Sequence, residues 1–371
     1  MSRTLILLPL LFSLSLASAS WQEVAKEGTQ ARLSGNYEKA KLIEKRLINE
    51  AGSPIGHIFA INTIITHLTW DDTQTQFDRA IFEHTEQVMS WCEPRLNSED
   101  FGAIANHYCG QAGFALSLYY GLKGNYIRAG QHGSQAIGWL ESALDADPEL
   151  IDAKLHLGIA YFVADNLPPF IKLFSRLLWF IPTGNSDKSV PYILDVITEG
   201  DEFPDVARYI YSTLMLFDDS TIELAVSELQ YLSDKYPKNS RFQLRLISVL
   251  LMQQNYQAAL SQAQGYLKYK PSGPDLTLAR VWMVRGYMGT NNIEAAQRLI
   301  SRITVSEYES LPSWSRSWHL LSIAQMQDLT GHRVMAIDTY NAILTMSRSD
   351  YVDDLIFAAA ERGIVTPFKA N

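Results

Sequence analysis

The chain has 371 residues, 47% of them hydrophobic and 19% charged, with a formal net charge of −9. That is enough apolar material for a sizeable core and too little charge for a disordered chain. The acidic balance is the wrong sign for a nucleic-acid surface, and it also disfavours general adsorption to anionic lipid.

Residues 1–19 read as a targeting segment. Arg3 supplies a positive start, Leu5 to Leu16 an apolar run, and Ala17-Ser18-Ala19 a small-residue cleavage pattern. The run is too short for a comfortable membrane span. The residue directly after the cleavage point is Ser20 and not the cysteine of a lipoprotein anchor, so the expected product is soluble and exported, and periplasmic if the source is Gram-negative. Without Arg3, 30 basic residues face 40 acidic ones, a formal charge of −10.

From Ser20 onward no run alternates with period 2 between turns, so helices are expected throughout. Residues 21–50 read as a first hairpin around Gly35-Asn36-Tyr37-Glu38-Lys39-Ala40. Helices are predicted over about 55–69, 74–92 and 98–121, with Asp71-Asp72-Thr73 and Ser98-Glu99-Asp100 as caps of the second and third. Gly124-Asn125-Tyr126-Ile127-Arg128-Ala129 repeats the first turn and opens a long helix to Asp145, stopped at Asp147-Pro148. The next helix, about 149–164, carries Leu157, Gly158 and Tyr161.

Two cysteines occur, Cys92 and Cys109. An even count in an exported chain invites a disulfide reading. Helix geometry points the other way. Cys92 falls at the end of one helix and Cys109 about ten residues into the next, roughly 15 Å along its axis. Two buried thiols are therefore expected.

Between Leu167-Pro168-Pro169 and Ile181-Pro182-Thr183-Gly184 lies a very apolar segment that includes Phe174 and Trp179. Its only charges are Lys172 and Arg176. It is read as a helix packed across the array. Peripheral membrane contact and docking of a partner are the alternatives at 167–184. A helix over about 187–199 follows.

The C-terminal half has a period of 34 residues. Pro237 and Pro271 are 34 apart, and Ala225 and Ala259 stand 12 before them. Later units carry Asn291-Asn292-Ile293-Glu294-Ala295-Ala296 and Gly331 with Ala336 and Tyr340. The alanine spacing stretches to 37 at Ala296 and 40 at Ala336. The excess is assigned to Ser272-Gly273-Pro274 and Pro312-Ser313-Trp314.

These turns, alanines and prolines resemble tetratricopeptide repeats, whose helix–turn–helix unit is about 34 residues long. The stretch from Leu157 to Tyr236 is similar to exported bacterial proteins of that family that have no characterised function. More weakly, it resembles the helical middle of a eukaryotic family tied to lipid droplets. The resemblance implies an all-α solenoid of helical hairpins, wound as a right-handed superhelix with a non-repeat insertion near 167–200. The chain divides as signal 1–19, degenerate hairpins 20–165, insertion 166–204 and repeat array 205–371.

Signatures of chemistry are missing. There is no phosphate loop, no Gly-x-Ser-x-Gly elbow and no His-Glu-x-x-His, and the eight histidines are scattered. No enzymatic role, cofactor or metal site is expected. The family's inner face is formed by each unit's first helix. Carried over by repeat position, it takes in Ile210, Leu214 and Phe217, then Arg241, Leu244, Ser248 and Leu251. The next units give Val281, Arg285 and Met288, then Trp318, Leu321 and Gln325. Arg241 and Arg285 offer forked donors for a carboxylate, although the family's Lys/Asn carboxylate clamp is absent. Trp314 and Trp318 are read as a stacking platform exposed to solvent. The function these features imply is a scaffold for a protein or peptide partner. The alternative is a lipid or small-molecule binder beside an envelope transporter.

Overall fold

The protein's structure, a computed structural model, describes residues 20–165, 186–217, 219–346 and 351–370. The signal segment, the apolar segment with Phe174 and Trp179, and the side chain of Phe217 lie outside the described residues.

Eighteen α-helices and no strand occur among the described residues. The N-terminal units are α1 (Trp21–Leu33), α2 (Tyr37–Glu50), α3 (Ile55–Leu68), α4 (Asp78–Cys92), α5 (Gly102–Leu122), α6 (Tyr126–Ala146), α7 (Ala153–Asp165) and α8 (Ser186–Glu199). The later ones are α9 (Pro204–Leu214), α10 (Ile222–Lys235), α11 (Ser240–Met252), α12 (Tyr256–Leu267), α13 (Gly273–Gly289) and α14 (Ile293–Ile300). Last come α15 (Val305–Glu309), α16 (Ser313–Leu329), α17 (Arg333–Leu344) and α18 (Tyr351–Val365). Each helix packs mainly on its chain neighbours, and first helices also pack on the next first helix, as α3 does on α5 and α11 on α13. This is the all-α, tetratricopeptide-type solenoid expected from the repeats.

The hairpin turns share one local solution. The last helical turn closes on a residue with positive φ, at Gly35, Gly124, Gln254, Asn291 and Gly331. In four of the five an asparagine follows and caps the second helix. Asn36, Asn125, Asn255 and Asn292 accept from the backbone N–H three residues on. The asparagine's own N–H returns to the previous helix, as in Asn255 to Leu250 O at 2.9 Å. Beyond the turn, Ala40, Ala225, Ala259, Ala296 and Ala336 are buried where two helices cross.

Several boundaries differ from expectation. Asp71 accepts from Thr73 N–H and Oγ1 at 3.2 and 2.6 Å, so it closes a turn, and α4 starts only at Asp78 after a 3₁₀ segment. Ser98 caps the N–H of Phe101, ahead of α5. The excess at Ala296 sits in the longer first helix, since α13 has 17 residues and α11 has 13. The excess at Ala336 forms the extra short helix α15, held by a Thr304/Glu307 capping box and by Glu307 with Arg280 at 2.7 Å.

The cysteines form a disulfide, Cys92–Cys109, with Cα atoms 5.8 Å apart. The helix-spacing expectation of two thiols fails for a local reason. The chain continues past Cys92 as a 3₁₀ segment, Glu93–Arg95, before it turns back. α5 starts at Gly102, so its climb to Cys109 is about 10 Å. That climb offsets the overshoot and brings the two residues level.

α7 and α8 pair across the undescribed stretch. A Cβ on Gly158 would lie 2.9 Å from Ser189 O, and Ser189 Oγ donates to Gly158 O at 2.8 Å. Residues 186–199 thus pack closely as a helix on α7.

Candidate functional site

The inner face of the later first helices does not stand open along its whole length. α1 docks against α9–α11, with Leu33, Leu232, Tyr236 and Phe242 in one buried cluster. Asn239 Nδ2 donates to Leu33 O at 2.9 Å, while its Oδ1 accepts from Arg241 N–H at 3.1 Å and caps α11. The Tyr236 hydroxyl lies 2.8 Å from Gln30 Oε1 and 2.5 Å from Asp205 Oδ2, and burial raises its pKa. Lys26 pairs with Asp201, and Thr29 Oγ1 donates to Glu202 Oε1 at 2.8 Å. Burial pushes the Glu202 carboxyl up to about 7, with Asp152 and Asp201 adding to the shift and Thr29 and Arg32 opposing it.

A second contact joins the end of α3 to α16. Trp314 Nε1 donates to Trp70 O at 2.8 Å, the two rings meet edge-on at 5.4 Å, and Ser313 Oγ donates to Asp72 Oδ1 at 3.1 Å. Trp314 also approaches Trp282, which meets Trp318 edge-on at 5.6 Å. Trp314 and Trp318 are half-buried members of this internal ladder, not an exposed platform.

Arg241 and Arg285 stand at the two ends of that ladder. The Arg241 guanidinium lies 5.0 Å from the Trp70 ring centre and that of Arg285 lies 4.5 Å from Trp318. Among the described residues neither has a carboxylate within ion-pair distance. Burial lowers the pKa of both, that of Arg285 to about 10. Arg241 is covered by an N-terminal unit. Among the described residues Arg285 donates one long hydrogen bond, 3.4 Å to Oε1 of the buried Gln325.

The structure thus brings Arg285, Trp318, Gln325 and the edge of Met288 together and separates them from Arg241 and Ser248. Ser248 donates to Arg245 O within its own helix at 2.7 Å. Met288 is 2% exposed and packs with Val284, Ala296 and Met326, yet its edge reaches the cavity beside Arg285. That cavity, about 110 Å³, is lined by Leu251, Tyr256, Arg285, Met288, Gly289 and Gln325 from the helices. Its remaining wall is Phe368, Lys369 and Ala370, which follow α18.

Sequence reasoning passed over Arg32, Trp70 and the segment after α18. Arg32 lies 5.1 Å from the Phe59 ring centre and donates to Thr63 Oγ1 at 2.9 Å. No local period could have paired Trp70 with residues 241 and 314. The signal available was a tryptophan in a polar turn, Thr69-Trp70-Asp71-Asp72, where a loop alone does not call for one.

Among the described residues, no three His, Cys, Asp or Glu side chains cluster to hold a metal ion, and no helix is long and apolar enough to cross a membrane. A scan against protein-family models finds no match, and a search of the curated proteins finds none. Among solved structures the chain aligns with yeast Tom70 at 12% identity over 93% of this chain and 96% of that one, with a TM-score of 0.31.

Proposed function

We propose that the protein is an exported, non-enzymatic scaffold that binds a protein or peptide partner in the cell envelope. The partner is held on the inner face of the C-terminal units. The observation that carries this reading is Arg285. It is a half-buried guanidinium stacked on Trp318, beside a cavity, and among the described residues no anionic group stands in ion-pair reach. Desolvating a cation without a counter-charge is costly, and an incoming carboxylate removes that cost. Export is supported by the leader pattern of residues 1–19 and by the Cys92–Cys109 disulfide, a bond that persists in oxidising compartments. We place the working boundaries at 1–19, 20–165, 166–204 and 205–371.

The test is cross-linking in intact cells with the chain tagged at its C-terminus, followed by affinity purification and mass spectrometry. We expect a reproducible envelope protein whose recovery drops with Arg285→Gln. Recovery of background proteins only, from a folded sample, overturns the scaffold reading. Co-purified lipid in native mass spectra would replace it with the lipid-binding one. N-terminal sequencing of the same material checks export, with Ser20 as the expected first residue.

A further inference from the structure

The segment after α18 does not run out into solvent. The Phe368 N–H donates to Asp328 Oδ2 on α16 at 2.8 Å, and the same carboxylate accepts from the Tyr340 hydroxyl at 2.9 Å. Asp328 is further held by Arg333 at 2.9 Å, and its side chain is fully buried. Arg333 in turn donates to Ile364 O at 2.6 Å, which fixes where the chain leaves α18. From there Phe368 to Ala370 close the Arg285 cavity. On the other side of the segment lies a second cavity of about 750 Å³, bordered by Gln325, Tyr340, Arg362 and residues 365–369. Gln325 lines both cavities, so the segment lies across the inner face as a strip with free space on each side.

The binding along this strip is sparse. Thr366, Pro367 and Lys369 are exposed, and among the described residues the strip's backbone makes one hydrogen bond to α16, that of Phe368. At Arg285 the strip presents Lys369 and Ala370, neither of which offers an acceptor side chain to a guanidinium. Among the described residues, the segment that covers this cationic site carries a lysine and no carboxylate.

We propose that residues 366–370 are an intramolecular strap over a binding site for an acidic, extended peptide, whose carboxylate pairs with Arg285 once the strap is displaced. This rests on the scaffold reading and names the ligand class and control of that same face. Charge complementarity selects the occupant. A carboxylate gains two charge-assisted hydrogen bonds from the guanidinium, whereas residues 366–370 of the strap supply none.

The test uses the full chain and an amidated, fluorescein-labelled peptide of residues 363–370. The peptide is made with Ala370→Glu or Ala370→Gln, so that a carboxylate or its neutral isostere reaches the position beside Arg285. Each is titrated by fluorescence anisotropy into the native chain and into a loosened-strap variant, Phe368→Gly with Lys369→Gly. We expect the loosened variant to bind the Ala370→Glu peptide about tenfold more tightly than the native chain does, and about tenfold more tightly than the Ala370→Gln peptide. Adding Arg285→Gln to the loosened variant should erase the preference for the acidic peptide. Equal binding by native and loosened chains overturns the strap. Equal binding of the two peptides overturns the carboxylate site. No binding by a loosened variant with unchanged circular dichroism overturns both, and a cellular partner captured in the same background would leave the scaffold reading standing without this site.

Discussion

At the scale of single residues, the structure concentrates its electrostatic cost in a few places. Glu202 is one. Its carboxyl is held near 7 against an ordinary value of 4.5, chiefly by burial, at the point where α1 meets the turn before α9. The folded state therefore binds a proton more tightly than the unfolded chain does. Its contribution to stability is fully present below about pH 4.5 and is lost as pH rises through 7. Replacing it by Gln removes that dependence while keeping an acceptor for Thr29. Glu202→Gln should leave the urea midpoint nearly unchanged at pH 4.5. At pH 8 it should stabilise the chain by about 2 kcal/mol, a figure already reduced for partial exposure. A variant-to-native difference that does not grow with pH would reject this account.

At the scale of elements, the turns were readable and the connections were not. Gly35-Asn36 and Asn291-Asn292 announce themselves because a positive φ and an N-cap are needed at adjacent positions, and few residues meet both demands. Gln254 fills the first role without being glycine, at φ 58, because Asn255 and the bond to Leu250 O define the turn around it. The Cys92–Cys109 bond was missed because a nine-residue link was treated as a bend, although it includes a turn of 3₁₀ helix. The bond clips α4 to α5 over a separation of 17 residues. Closing a loop of that size should be worth about 3 kcal/mol. The double variant Cys92→Ser/Cys109→Ser should therefore unfold at lower urea concentration by that amount. A reducing agent should lower the native midpoint comparably and leave the variant unmoved.

At the scale of the molecule, the first three helices close back on the later units, and nothing periodic in the sequence marks this. The inner-face residues chosen by repeat position fall on α9, α11, α13 and α16, apart from Phe217, which follows α9. What the repeat could not reveal is which stretch of that face another part of the chain covers: Arg241 lies against Trp70, while Arg285 lies under the strap. Trp70 is the principal apolar contact of the second closure. Trp70→Ala removes a ring that touches Trp314 and Arg241, and should cost about 3 kcal/mol. It should also raise the radius of gyration in small-angle scattering as the superhelix opens. An unchanged scattering profile would show that the α1 docking alone holds the closure.

The Asn239 bond to Leu33 spans 206 positions. In an open solenoid each unit can fold against its predecessor as soon as it exists, so order spreads along the chain in either direction. Here the first hairpin can pair locally but cannot reach its final seat until α11 has formed. Whatever emerges first during synthesis is completed late, with the Leu33 surface uncovered in the meantime. A protein built from short-range units thereby acquires the assembly problem of one with long-range topology, and α1 is the part that must wait.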